Sequence, residues 1–189
     1  LAGLAADQST AELVNVVPSN KPSDAYKAVA EQAKEFLPTY MHHWMTRAVC
    51  KRTVMTIPYN ATKDSSRKYI RESLLEEGID PTKDELTQIV NAVYNSMDTI
   101  VPGPMQVMRW IKKHVGQYIR NGATAVEWVT PSGFIVNQRR DDIETMRMEL
   151  QLLGRTQVRL PTGKTTPSPT KHKSSTAPNY IHSFDASIL

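Results

Sequence analysis

Proline and glycine divide most of this 189-residue chain into segments of helical length. Pro38, Pro58 and Gly78 each follow a stretch in which apolar residues recur three or four positions apart, and Pro102 and Gly122 bound a later one. Proline ends a helix because it lacks an amide hydrogen and crowds the carbonyl four residues before it. Glycine just after the last periodic residue is a common helix exit. The chain up to residue 122 is therefore predicted to be mainly α-helical.

Helix starts and buried faces follow from the same patterns. Ser23 is predicted to cap the first helix, and Thr82 with Glu85 predicts a capping box at the start of the fourth. Apolar residues at helical spacing predict the buried faces of the fourth and fifth helices. These are Leu86, Ile89, Val90, Val93 and Met97 in the fourth helix, and Met108, Ile111, Val115, Tyr118 and Ile119 in the fifth.

The pattern changes after residue 122. AVEWV and FIV flank the turn sequence TPSG, which predicts a β-hairpin. From Arg155 to Lys173 the chain carries five basic residues and no acidic one, among several Pro, Ser and Thr residues. This composition predicts a long basic loop, which either contacts a nucleic-acid backbone or is merely solvated. The predicted fold class is α+β and mainly α-helical, with a small β-hairpin and a long basic loop.

Composition is ordinary for a soluble globular protein, with 40% hydrophobic and 22% charged residues. No apolar stretch is long enough to span a membrane. The single Cys50 excludes an internal disulfide and favours a reducing compartment. A net charge of +4 favours polyanionic partners, though weakly. Because the chain begins without Met and ends within a predicted helix, we expect a fragment of a longer protein.

Familiar enzyme motifs are missing from the sequence. It contains no CxxC, HExxH, glycine-rich phosphate loop or GxSxG. The five His residues lack metal-ligand spacing, and Asp141 and Asp142, which follow two arginines, indicate a solvated ion-pair cluster. No pair of carboxylates suits metal-assisted catalysis. No metal site is therefore predicted in this chain.

The segment TRAVCKRTVMTIPYN, residues 46–60, places two cations on one helical face. Arg47, Lys51 and Met55 are spaced by four residues, so they lie one turn apart. Like charges at this spacing repel each other, and a bound anion would turn that cost into a gain. The spacing alone leaves two interpretations open, a solvated surface stripe and an anion-binding site.

Four stretches together resemble one known family. The motif RxxxKRxVMTxxY, from Arg47 to Tyr59, is similar to the nucleotide-binding fingers helix of single-subunit RNA polymerases of the bacteriophage and mitochondrial type. VNVVPSNKPSDAYKAVAE resembles that family's passage from palm to fingers. VEWVTPSGFIV resembles the hairpin before its promoter-reading loop, and APNYIHSFDAS resembles the segment leading back toward the palm. The resemblance spans nearly the whole chain.

The resemblance implies that the chain is the fingers subdomain of a right-hand polymerase with a sliver of palm. Residues 1–22 would end the palm, and residues 23–137 would form the fingers, including a nucleotide-binding helix at about 44–58. Residues 138–176 would be the promoter-specificity loop. Residues 177–189 would start a helix that returns to the palm.

The resemblance also implies roles for individual residues. Lys51 and Tyr59 would be the catalytic residues. Arg47 and Lys51 would bind the incoming triphosphate, and Met55 and Tyr59 would contact its sugar and base, with the Tyr59 hydroxyl selecting ribose. Promoter DNA would be contacted by three residues of the specificity loop, namely Arg147, Glu149 and Arg159.

The implied parent is a DNA-directed RNA polymerase that uses Mg²⁺. The family's two metal-binding aspartate motifs are absent here, and Asp185 belongs to neither, so the Mg²⁺ ligands would lie outside this chain and the chain alone would be inactive. Its implied partners are template and promoter DNA, nascent RNA and ribonucleoside triphosphates, with no membrane. The parent would be monomeric and would act in the cytoplasm of a phage-infected bacterium or in a mitochondrion.

Three positions depart from the family pattern, and two alternatives stay open. Pro58 and Asn60 stand where the family usually has a small residue and Gly, and Ile188 replaces a His that reaches the nascent duplex. One alternative is a fragment of a family A DNA polymerase, whose related helix commonly has an aromatic residue followed by Gly in place of Met55 and Thr56. The other is a non-catalytic basic helical protein that coats nucleic acid. The sequence KRTVMT favours the RNA enzyme.

Overall fold

The structure is a computed structural model that describes residues 2–3, 6–18, 20–151 and 156–188. The helical elements come first and are α1 (Gln8–Leu13), α2 (Ala25–Lys34), a 3-10 helix (Thr39–Trp44), α3 (Arg47–Thr56), a second 3-10 helix (Ile57–Tyr59), α4 (Lys63–Glu76), α5 (Lys83–Ile100) and α6 (Pro102–Arg120). They are followed by β1 (Val126–Val129), β2 (Ile135–Gln138), β3 (Asp141–Leu150), β4 (Thr156–Pro167) and α7 (Pro169–Ile188). The prediction of a mainly helical chain with some β-structure is confirmed.

The chain divides into two compact units, unit 1 (Leu1–Trp110) and unit 2 (Ile111–Leu189), and the division falls within α6. Helices α2 to α5 form the core of unit 1, where buried apolar side chains make one continuous cluster. Ile70, Ile89 and Val93 have no exposed surface. All five residues predicted for the buried face of α5 are buried, so that prediction is confirmed.

Most of the predicted helix ends are confirmed, and one cap is corrected. Thr82 and Glu85 form a reciprocal capping box, and Gly78 leaves α4 with φ +79°. The cap of α2 is Asp24 rather than Ser23, because the Asp24 carboxylate accepts the amide hydrogens of Tyr26 and Lys27. A carboxylate is favoured at this position because it satisfies the unpaired amides at the start of the helix.

The fifth predicted face is only partly correct. On α6, Met108, Val115 and Ile119 are buried, whereas Tyr118 is 57% exposed. Successive residues of a helix are rotated by roughly 100°, so Tyr118 lies toward the edge of the stripe that the other residues define. The tyrosine ring therefore projects into solvent.

Both β-structures of unit 2 are antiparallel hairpins, and the second corrects a prediction. Strands β1 and β2 pair from Val126↔Gln138 to Val129↔Ile135, as predicted. Strands β3 and β4 pair from Asp141↔Pro167 onward, where a long basic loop was expected. Prolines are tolerated because both strands of a two-stranded hairpin are edge strands, where an amide can be absent without breaking a ladder. Arg155, the first residue of the expected loop, lies outside the described residues.

Helix α7 holds both hairpins of unit 2. It begins at Pro169, earlier than the predicted start at 177. Trp128 of β1 donates its indole hydrogen to the Ser183 hydroxyl at 2.8 Å, and its ring lies 5.8 Å from that of Tyr180. At the base of the second hairpin, buried His172 accepts the Arg140 amide hydrogen at Nε2 and donates from Nδ1 to the Ser168 carbonyl. These contacts fix the position of each hairpin against α7.

Candidate functional site

One face of α3 and of the 3-10 turn that follows it presents four residues to solvent at intervals of four positions. Arg47, Lys51, Met55 and Tyr59 are all exposed, with Met55 at 48% and Tyr59 at 47%. We call these four residues the α3 stripe. The cations stand toward the amino end of the stripe and the apolar and aromatic side chains toward its carboxyl end. The stripe therefore has positive charge at one end and apolar and aromatic surface at the other. A ligand with an anionic end and a planar end would match this arrangement.

The opposite face of α3 packs into the core and fixes the helix. Val49, Cys50 and Val54 are buried there, and burial raises the pKa of the Cys50 thiol to about 12, so the thiol stays protonated. Thr46 caps the helix by accepting the Val49 amide hydrogen. The expected helix at about 44–58 is thus an α-helix from Arg47 followed by a 3-10 turn that contains Pro58. Asn60 ends the turn in the left-handed conformation with φ 65°, which Asn tolerates better than most residues.

The two cations of the stripe have different surroundings. Arg47 donates from Nε to Oδ2 of Asp24 at 2.5 Å, and this hydrogen bond lowers the pKa of the Asp24 carboxyl. Lys51 makes no ion pair or hydrogen bond with any residue that the structure describes. Lys51 is therefore the cation of the stripe whose charge is offset by no carboxylate among the described residues.

A pocket of about 310 Å³ opens beside the carboxyl end of the stripe. Met55, Pro58 and Tyr59 form one wall, and most of the rest is apolar, including Tyr26, Val29, Met97, Met105 and Met108. A cavity of this size and lining resembles the small-molecule sites of proteins in general. The stripe thus runs from Lys51, which has no partner among the described residues, to an apolar pocket within unit 1.

The second surface predicted from the sequence lies on the β3–β4 hairpin of unit 2. Arg147 stands directly opposite Arg159 in the register, and Glu149 opposite Gln157, whose amide donates to the Glu149 carboxylate at 3.2 Å. Both arginines are exposed and make no hydrogen bond or ion pair with another described residue. Like charges directly across a ladder are destabilising, so an anion between the arginines would offset a cost built into the hairpin.

The described residues hold neither a metal cluster nor a membrane span. Within residues 2–3, 6–18, 20–151 and 156–188, no group of three His, Cys, Asp or Glu side chains could bind a metal ion. No described helix is both long and apolar enough to cross a membrane.

Sequence reasoning missed two parts of the α3 site. Asp24 precedes Arg47 by 23 positions along the chain, and no local pattern signals that their side chains pair. Met97 and Met108 are predicted only as members of buried helix faces, yet together with Met105 they also line the pocket beside Met55 and Tyr59. Both features depend on how α2, α5 and α6 pack beside α3, which no spacing rule supplies.

Comparisons with known proteins agree on one family. The family model described as DNA-dependent RNA polymerase matches residues 1–189. The mitochondrial DNA-directed RNA polymerase of Mus musculus is 28% identical over 201 residues, which cover 100% of this chain and 17% of that protein. T7 RNA polymerase of Escherichia phage T7 is 30% identical over 206 residues, which cover 97% of this chain and 22% of that protein. The chain thus spans about a fifth of the length of these relatives.

Proposed function

This chain belongs to the DNA-dependent RNA polymerase family, and from that premise we propose that the α3 stripe binds an incoming ribonucleoside triphosphate. Lys51 and Arg47 contact the phosphates, while Met55 and Tyr59 contact the sugar and base. The observation that carries the proposal is the exposed Lys51, which has no partner among the described residues and lies one helical turn before Met55, a residue that lines an apolar pocket. Fixed cations stabilise the charge that phosphoryl transfer builds on the phosphates.

The parent enzyme, in this proposal, is the fingers-bearing polymerase that copies template DNA into RNA. Mg²⁺ would be held by ligands outside this chain, because the family's two metal-binding aspartate motifs are absent from its sequence. Residues 1–22 would end the palm, 23–137 would form the fingers, 138–176 would read the promoter and 177–189 would lead back to the palm. The parent would work as a monomer on template DNA and nascent RNA, in a phage-infected bacterium or in a mitochondrion.

Lys51→Ala in the complete polymerase tests the role of the stripe. Removing a preorganised charge of this kind costs on the order of 3 kcal/mol, so we expect kcat/KM for ribonucleoside triphosphates to fall about 100-fold. Lys68→Ala is the matched control, because Lys68 is an exposed lysine of α4 outside the stripe. Unchanged nucleotide affinity and rate in Lys51→Ala would instead support a solvated stripe.

Tyr59→Phe tests the proposed choice of sugar. The change keeps the ring and deletes only the hydroxyl, which is the group able to pair with the ribose 2′-hydroxyl. A site that hydrogen-bonds a substrate hydroxyl rejects the analogue that lacks it, because its own polar group is left unpaired. We expect RNA synthesis to persist while deoxyribonucleotides enter, as measured by competing incorporation of the two. Undiminished discrimination would remove Tyr59 from this role, and loss of all synthesis would make its hydroxyl structural.

We further propose that the β3–β4 hairpin contacts promoter DNA through Arg147, Glu149 and Arg159. Paired arginines on an exposed hairpin suit phosphate or guanine, and a bidentate contact to guanine is worth about 1–3 kcal/mol of discrimination. Replacing Arg147 by Ala should change promoter choice and leave extension of a preformed primer intact. Equal loss of both activities would indicate that Arg147 is structural.

A further inference from the structure

Arg47 is held by two side chains from the start of α2. Its Nε donates to Oδ2 of Asp24 at 2.5 Å, and its guanidinium carbon lies 5.4 Å from the centre of the Tyr26 ring. The other oxygen of Asp24, Oδ1, accepts the amide hydrogens of Tyr26 and Lys27 and so caps α2. One carboxylate therefore performs two tasks, one with each oxygen.

The Asp24 contact changes what the α3 stripe offers to an anion. A polyphosphate that engages Arg47 in place of Asp24 has to compete with an anionic partner already in position. At Lys51 there is no such competitor among the described residues. The two cations of the stripe are thus unequal, although the sequence presents them as equivalent.

A second arginine of α3 has the same kind of environment without belonging to the stripe. Arg52 donates to Oε2 of Glu72 at 2.8 Å, and its guanidinium carbon lies 4.0 Å from the centre of the Tyr69 ring, both residues being on α4. Arg47 and Arg52 therefore each have a carboxylate and a tyrosine from a neighbouring helix. This likeness makes the Arg52 pair a control for the Arg47 pair within one helix.

We propose that Asp24 competes with the polyphosphate of an incoming nucleotide for Arg47 and thereby sets the affinity of the α3 stripe. This inference rests on the proposed function of the stripe and adds a residue on α2 to it. In the free protein Asp24 neutralises Arg47. On binding, the phosphate oxygens replace the carboxylate oxygen as acceptors of the guanidinium hydrogens, while Oδ1 continues to cap α2.

The size of the effect follows from exposure. The side chains of Arg47 and Asp24 are 51% and 37% exposed, so water screens their attraction. Exposed ion pairs of this kind are weak, and removing one competitor should tighten binding by only about two- to fivefold. A modest value is consistent with a device that adjusts affinity without blocking the site.

Asp24→Asn removes the negative charge of Asp24 while keeping a side chain that can cap α2. Asparagine is as good a helix cap as aspartate, so α2 should stay intact while the negative charge is lost. The dissociation constants of inorganic tripolyphosphate and of a ribonucleoside triphosphate are measured on the complete polymerase. We expect Asp24→Asn to tighten both by about two- to fivefold. In an Arg47→Ala background the same substitution should change neither, and Glu72→Gln, which removes the same charge beside Arg52, should also have no effect.

Each other result overturns the inference. Two results would mean that the effect comes from the net charge of the protein and not from competition at Arg47. One is that Asp24→Asn tightens binding equally in the Arg47→Ala background, and the other is that Glu72→Gln tightens it as much as Asp24→Asn does. If Asp24→Asn weakens binding, Asp24 orients Arg47 for the phosphates and does not compete with them. No change in Asp24→Asn, with weaker binding in Lys51→Ala, rejects the competition alone. Unchanged binding in Lys51→Ala rejects the proposed function of the stripe, and the competition with it.

Discussion

Unit 1 is held together by buried apolar side chains, whereas unit 2 ties its hairpins to α7 largely through polar groups. In unit 1 the continuous apolar cluster runs through α2 to α5. In unit 2 the side-chain amide of Gln138 on β2 makes two hydrogen bonds to α7. Its Nε2 donates to the Thr176 hydroxyl at 2.7 Å, and its Oε1 accepts from the Asn179 side chain at 2.6 Å. Gln138 and Thr176 are both buried. A polar network of this kind positions its members closely, since each loses a partner if the geometry shifts.

The two units also differ in charge. Unit 1 carries 12 Lys and Arg against 13 Asp and Glu, and unit 2 carries 11 against six. In unit 1 each of the five arginines pairs with a carboxylate, namely Arg47, Arg52, Arg67, Arg71 and Arg109. The net positive charge of the chain thus resides in unit 2, where Arg147 and Arg159 have no partner among the described residues. A balanced unit suits a selective site for one small anion, and a basic unit suits a long polyanion.

The largest expected effect separates the apolar core from the exposed hairpin. Ile89→Ala removes a fully buried side chain of α5 and should cost about 2–5 kcal/mol of unfolding free energy, because a cavity remains. Leu160→Ala, at a position of β4 that is 42% exposed, should cost less than about 1 kcal/mol. Urea unfolding followed by circular dichroism measures both. Similar costs would mean that the hairpin contributes to the core as much as α5 does.

Replacing a buried threonine by valine should lower the free energy of unfolding in unit 2 but leave it unchanged or raise it in unit 1. Thr176→Val in unit 2 leaves the Gln138 amide without its 2.7 Å acceptor and should destabilise by about 1–3 kcal/mol. Thr53→Val in unit 1 replaces a buried hydroxyl that has no hydrogen-bond partner, so it should be neutral or stabilising by about 1 kcal/mol. Native-state hydrogen exchange reports each unit separately. A destabilising Thr53→Val would reveal a partner for that hydroxyl and weaken the contrast.

A charge reversal on the hairpin should raise stability and lower DNA affinity together. Arg147→Glu places a carboxylate opposite Arg159, which replaces a repulsive cross-strand pair by an attractive one worth about 0.2–1 kcal/mol. Duplex DNA should bind more weakly, and the slope of its log affinity against log salt should become shallower by about one. Fluorescence anisotropy at several salt concentrations measures this. Arg71→Glu in unit 1 serves as the control, and an equal change there would contradict a specific role for the hairpin.

The smallest expected effect concerns acid. Hydrogen bonds from the Thr10 hydroxyl and amide lower the pKa of the Asp7 carboxyl from 3.8 to about 2. Because the pKa is lower in the folded state, ionised Asp7 stabilises the fold above the unfolded pKa. That contribution should fade as the pH falls from about 4 to about 2. Unfolding measured against pH should therefore show a steeper acid loss in the parent than in Asp7→Asn. Identical slopes would contradict the lowered pKa.

In unit 2 the corresponding carboxyl is Asp142, and its pKa is also lowered. The causes are a hydrogen bond with Ser168 first and then one with Lys171, whose Nζ lies 2.9 Å from Oδ1. A carboxyl titration followed by NMR should show that Lys171→Ala raises the pKa of Asp142 and leaves that of Asp7 unchanged. The two units would then also differ in what lowers the pKa of a carboxyl. The pKa of Asp7 depends on a helix cap, and that of Asp142 depends on a contact between hairpin and helix.

Local chemistry was predictable from the sequence wherever a few neighbouring residues decide the structure. The capping box of Thr82 and Glu85 and the β1–β2 hairpin are both confirmed. The buried face of α5 is confirmed for the same reason, because one helical period determines which side chains share a face. The resemblance to single-subunit RNA polymerases, carried by short motifs in order, is confirmed by the family match.

Only the tertiary structure decided how distant segments meet. The expected basic loop pairs as β4 with β3, because a ladder between edge strands depends on a partner that composition does not reveal. The spacing of Arg47 and Lys51 placed both on one exposed face of α3, as the structure has it. That Asp24 offsets the charge of Arg47 while Lys51 has no described partner follows from the packing of α2 against α3. The free energy of an ion pair depends on the distance between its two charges. Residue spacing predicts that distance for side chains on the same helix, but not for side chains on two different helices.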